Sequence, residues 1–99
     1  EDTLMYKAFL QLKTEDEVKA FLEDLCSMTE LMAMEQRFEV ASLLHDGMIY
    51  NDILERTGAS SATISRVNRC LNYGVGYRTA LDNLKKAGKL DDDGSDFEK

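Results

Sequence analysis

No proline interrupts this chain, and its six glycines stand between stretches rich in Ala, Leu, Met, Glu and Lys. Proline is the residue that most reliably stops a helix, and those five are among the best helix formers. The expected fold class is therefore all-α. With 99 residues the chain is one small domain, and a small domain buries a smaller share of its surface than a large one. A partner subunit would supply the missing core.

The order of helices follows from apolar spacing and capping signals. Leu4, Met5, Ala8, Phe9 and Leu12 share one helical face. Thr14-Glu15-Asp16-Glu17 reads as a capping box, in which threonine and glutamate each accept the other's orphan backbone N–H. It opens a second helix, to about Cys26, with Val18, Phe21, Leu22 and Leu25 as its stripe. Ser27-Met28-Thr29-Glu30 is another such box, starting a third helix that runs to His45-Asp46-Gly47, where glycine can close it in the left-handed conformation. Leu31, Met34, Phe38, Ala41 and Leu44 form one stripe of this helix, and Ala33, Val40 and Leu43 extend it to a further side. A helix apolar on more than one side needs cover from several directions. A second copy of the chain is the expected cover.

Two short helices around Thr57-Gly58-Ala59-Ser60 follow, and a last one after Asn72-Tyr73-Gly74-Val75-Gly76 carries Ala80, Leu81 and Leu84. The domain is expected over residues 1–87. Residues 88–99 are acidic with almost nothing apolar to bury, and a disordered tail is expected there.

A net charge of −7 is at first sight adverse to nucleic-acid binding, which relies on Lys and Arg at phosphates. The distribution reverses that inference: residues 1–48 carry a balance of −7, residues 49–90 of +4 and the last nine of −4. One basic segment between two acidic ones suggests a single surface turned to a polyanion.

That segment contains Ile53-Leu54-Glu55-Arg56-Thr57-Gly58-Ala59-Ser60-Ser61-Ala62-Thr63-Ile64-Ser65-Arg66-Val67. Ile53 and Leu54 can anchor a first helix, Gly58 allows a sharp turn, and Ser60 can cap the next helix. Ile64, Val67 and Leu71 then pin that helix to a core. The outward positions Ser61, Ala62, Thr63, Ser65, Arg66, Asn68 and Arg69 are small, polar or basic. Short side chains permit close approach to a major groove, and arginine can take both acceptors of guanine. The expectation is a helix-turn-helix over about 50–71 that binds duplex DNA. The plainer reading is a capped surface helix after a tight turn.

The strings EDLC, QRFEVASLLHDG and TGASSATISRVNRCLNYG resemble the Trp-repressor-like family of the YerC/YecD type, relatives of the tryptophan operon repressor, over roughly residues 3 to 86. The resemblance implies a six-helix subunit, an intertwined homodimer and a transcriptional repressor reading a symmetric operator, and a cytoplasmic location is expected from the sequence, which shows neither a membrane span nor a signal peptide. It implies that Ser61, Ala62, Thr63 and Arg66 approach bases and phosphates, and that Tyr50 and Asn51 touch the DNA backbone. It also implies an effector pocket built on Arg37, Thr63, Arg66 and Val67. Because Val67 replaces a glycine that gives an indole ring its room, tryptophan is not the expected effector, and either binding without any ligand or control by another small-molecule effector is expected.

Other classes have little support. No run of about eighteen apolar residues and no basic stretch leading into an apolar one is present, so neither a membrane span nor a signal peptide is expected. Cys26 and Cys70 lack metal-ligand spacing and are expected reduced, and no metal or cofactor is expected. His45 suits the C-terminus of its helix, where a cation is favourable to the dipole. Arg37 has Glu35 and Glu39 as alternative partners on its own helix. The five methionines read as core or interface filler, and Asp91-Asp92-Asp93 lacks the glycine and distal glutamate of a calcium loop. No nucleophile, base or carboxylate pair has catalytic spacing, so no enzyme is expected. The alternative to DNA binding is a protein-interaction module whose acidic N-terminal half docks a basic partner.

Overall fold

The computed structural model describes residues 3–90, which form six helices. They are α1 (Leu4–Gln11), α2 (Glu15–Leu25), α3 (Met28–His45), α4 (Tyr50–Thr57), α5 (Ser61–Tyr73) and α6 (Gly76–Lys86). The chain divides into two compact units between Ala33 and Met34, within α3.

In the first unit, Phe9 of α1 meets Phe21 of α2 edge-on, with ring centroids 5.1 Å apart and planes at 79°, a favoured geometry for aromatic quadrupoles. Leu31 is buried, whereas neither α1 nor α2 contains a fully buried residue. Both expected capping signals operate, though differently. At α3 the box is reciprocal: Glu30 N donates to Ser27 Oγ at 3.1 Å and Ser27 N to Glu30 Oε1 at 2.8 Å. These bonds, the backbone one foremost, hold the Glu30 carboxyl below its ordinary range. At α2, Glu17 N donates to Thr14 Oγ1 at 3.1 Å, but the Glu17 carboxylate accepts from Lys13 N at 2.7 Å. The glutamate reaches one residue further back than a reciprocal box requires.

The second unit holds a core of Val40, Ala41, Leu43, Ile53, Ala59, Ile64, Val67, Leu71 and Leu81. Thus the last turns of α3 supply one wall, α4 and α5 two others, and α6 closes it. Phe38 and Tyr77 pack at its edge with centroids 6.2 Å apart. Gly47 ends α3 at φ +93°, as the sequence predicts. Leu90 is half-buried against this core, so packing extends into the segment expected to be a tail. Residues 91–99, the rest of that segment, lie outside the described residues. His45 does not merely cap α3, because its Nε2 lies 3.4 Å from the Asp82 carboxylate of α6.

Candidate nucleic-acid interface

The geometry of α4 and α5 rests on four residues at their junction, Thr57 at the end of α4 and the three that follow it. Gly58 adopts φ +72°, a left-handed conformation that a side chain would strain, and its N–H closes α4 on the Leu54 carbonyl. The Thr57 hydroxyl donates to the Ile53 carbonyl at 2.7 Å and accepts from Ala59 N at 3.1 Å. Ala59 is buried as part of the core. Ser60 caps α5: its hydroxyl accepts from Thr63 N at 3.1 Å and donates to Thr63 Oγ1 at 3.0 Å. The backbone amides of Gly58, Ala59 and Thr63 each have a partner, so the turn is a defined conformation.

The turn fixes which face of α5 looks outward. Ile64 and Val67 are fully buried and Leu71 nearly so, at the spacing expected of core anchors. Ser61, Ala62, Ser65, Arg66 and Arg69 are exposed, as are Tyr50 and Asn51 at the start of α4. Thr63 and Asn68 are half-buried, and Thr63 is engaged in the cap rather than standing clear on the outer face. The structure therefore brings small and polar residues to the beginning of α5 and two arginines along one exposed side.

The residues of the expected effector pocket are in different environments. Val67 is 1% exposed and belongs to the core, Arg37 on α3 is half-buried, and Arg66 is exposed. An open hollow of about 600 Å³ exists at the other end of α5, bounded by Arg69, Cys70, Tyr73, Gly74, Gly76 and Tyr77. None of Arg37, Thr63, Arg66 or Val67 lines it.

Two residues that sequence reasoning passed over shape this head. Arg78 Nη2 donates to the Gly74 carbonyl at 2.9 Å and braces the α5–α6 connection. Gln36 Nε2 donates from α3 to the Thr57 carbonyl at 3.2 Å, at the turn itself. Gln36 and Thr57 are 21 positions apart in sequence, and no local spacing announces such a bond.

The family model for the Trp repressor protein matches residues 3–85, nearly the whole described chain. The chain belongs to the Trp repressor family. It is 47% identical over 83 residues to the uncharacterized protein YerC of Bacillus subtilis (strain 168), covering 83% of this chain and 80% of that protein. The crystal structure of a TrpR-like protein from Eubacterium eligens ATCC 27750 superimposes with a TM-score of 0.77 at 48% identity, covering 88% of each chain. The all-α, six-helix fold expected from the sequence is thus that of the Trp repressor family.

Proposed function

We propose that this chain is a sequence-specific transcriptional repressor that binds a symmetric operator in duplex DNA as a homodimer, through the helix-turn-helix of α4 and α5. The observation that carries this reading is the outer face of α5. Ser61, Ala62, Ser65, Arg66 and Arg69 are exposed on a helix whose opposite side is pinned by Ile64, Val67 and Leu71. A rigidly held helix with small residues at its start and arginines along it fits the shape and chemistry of a major groove. Ser60 and Thr63 support that helix through its cap, while Tyr50 and Asn51 are available to phosphates at the start of α4.

The dimer has its own support. Leu4, Tyr6 and Leu10 on α1, and Met28 and Met32 at the start of α3, are all more than half exposed in the single chain. Apolar side chains exposed to that extent mark an association site. A two-fold pair also presents two reading heads to a palindromic site. The working unit is residues 1–87 together with Leu90, which packs on its core, the rest of 88–99 is an acidic stretch of sequence, and the compartment is the cytoplasm. No helix among the described residues is long and apolar enough to cross a membrane.

Any effector is a small molecule other than tryptophan. Val67 is packed in the core, and displacing it to admit an indole would repack an interior that accepts extra volume only at about 1–3 kcal/mol. A titration of labelled operator with and without millimolar L-tryptophan, in wild type and Val67→Gly, tests this point. No gain in wild type is expected, and a tenfold gain there would refute the steric argument.

Selection of bound duplexes from a random pool with purified protein tests the main reading. A palindromic site is expected to emerge, with affinity that falls as salt rises because phosphate contacts release counterions. Recovery of no preferred sequence, together with capture of a basic protein by the acidic N-terminal half, would favour the interaction-module reading.

A further inference from the structure

We infer that Gln36 is a positioning residue for the DNA-reading head: its side-chain amide, reaching from α3 to the Thr57 carbonyl, sets the turn from which α5 is presented. The inference rests on the DNA-binding reading above but concerns a residue outside the surface that would touch DNA.

The argument starts from what the turn contains. Thr57 is the last residue of α4 and Gly58 is already left-handed, so the Thr57 carbonyl is one of the terminal acceptors that the helix itself leaves unfilled. It is partly buried, and an unfilled acceptor there would carry a desolvation cost. Gln36 Nε2 donates to it at 3.2 Å. On the same residue, the Thr57 hydroxyl is already committed, donating to Ile53 and accepting from Ala59 N. Thr57 therefore ties three things together: the body of α4 through Ile53, the entry to α5 through Ala59, and α3 through Gln36. The first two ties are local to the head. Of the three, the Gln36 bond is the one that reaches a helix outside it.

Gly58 makes this tie necessary, since a left-handed glycine has the widest backbone freedom in the turn. Ala59, buried beside it, limits translation of the turn but makes no directional bond with its side chain. A side-chain amide suits the task. It is neutral, it has a donor of the right reach, and its length spans from α3 without bending the helix.

The test compares three substitutions. Gln36→Glu keeps the shape but opposes two acceptors, Gln36→Met keeps the volume without a donor, and Gln36→Lys retains both reach and a donor. Ser27→Ala serves as a control that weakens α3 at its other end without touching the turn. For Gln36→Glu and Gln36→Met, affinity for the selected operator is expected to fall about three- to tenfold, the worth of one partly buried hydrogen bond. Binding to random duplex, which depends on phosphate contacts, is expected to change less than about twofold. Amide exchange at Ala59 should quicken in the same two variants, and Gln36→Lys should restore both readouts. Ser27→Ala should lower thermal stability while leaving the ratio of operator to random-duplex affinity unchanged.

Wild-type operator affinity in Gln36→Met, or an operator-to-random ratio that drops equally in Ser27→Ala, would overturn the inference. If the wild type distinguishes no duplex at all, the DNA-binding reading fails first. Exchange at Ala59 then decides by itself whether Gln36 holds the turn, unchanged exchange in Gln36→Met refuting it.

Discussion

Arg66 and Arg69 lie three residues apart on α5, both exposed, while Ile64 and Val67 on the opposite side are buried to the last atom or nearly so. That division makes the two arginines separable from folding. Alanine has the best helix propensity, and neither guanidinium contributes to the core, so Arg66→Ala and Arg69→Ala are expected to leave helicity and thermal stability unchanged. Operator affinity is expected to fall by about 1–3 kcal/mol for an arginine that reads a base, or with a salt slope reduced by about one for an arginine on a phosphate. Titrations at several salt concentrations distinguish the two roles, and unchanged affinity in both variants would remove the main support for DNA binding. Thr63 differs from its neighbours at this scale. Its hydroxyl accepts from Ser60, so Thr63→Ala would loosen the cap as well as any contact, and its effect would not be readable as recognition alone.

At the level of helices, the termini are the informative parts. Gly74 is extended rather than left-handed, and its need for glycine is steric: a Cβ there would stand 2.8 Å from the Cys70 carbonyl oxygen, a backbone atom that cannot swing away. Gly74→Ala is therefore expected to displace the end of α5, break the 2.9 Å bond from Arg78 and lower the thermal midpoint, whereas Gly76→Ala, with open space at its Cβ, should not. At the start of α3, the carboxyl of Glu30 is held below its ordinary range by the Ser27 bonds. A lowered folded-state value means that the ionised box stabilises the fold above the unfolded-state pKa, and that this contribution is lost as pH falls through the folded one. Wild type should accordingly exceed Glu30→Gln in stability at about pH 6, with the gap narrowing toward about pH 3; a gap independent of pH would contradict it. Helix limits were legible in the sequence because caps and closing glycines act within four residues of themselves, as Ser27, Ser60, Gly47 and Gly58 illustrate. The α5 anchors were legible for the same reason, since i, i+3 and i+7 spacing is a property of one helix. Bonds between helices were not: Gln36 to Thr57 and His45 to Asp82 depend on how elements pack, and spacing along the chain carries no record of it.

For the whole molecule, the question is what covers the first unit. Neither α1 nor α2 has a fully buried residue, yet Leu4 and Leu10 are 81% and 83% exposed and Met28 and Met32 more than half. Helices as short as α1, eight residues, are not stable in water on propensity alone and depend on packing of an apolar face. If the single chain were the working form, Leu10→Lys would replace an already solvated side chain and shift stability by no more than about 0.5 kcal/mol. If a second copy covers α1, the same substitution removes a burial worth about 1.5–3 kcal/mol and adds a charge to the interface. The two alternatives therefore differ by more than experimental error. Sedimentation is expected to give two chains per particle at micromolar concentration, and the wild-type thermal midpoint should rise with protein concentration, as mass action demands when folding and association are linked. Leu10→Lys should lower that midpoint and weaken association, and it should weaken operator binding only below the concentration at which the pair re-forms. A folded monomer at micromolar concentration whose midpoint ignores both dilution and Leu10→Lys would show that the first unit needs no partner.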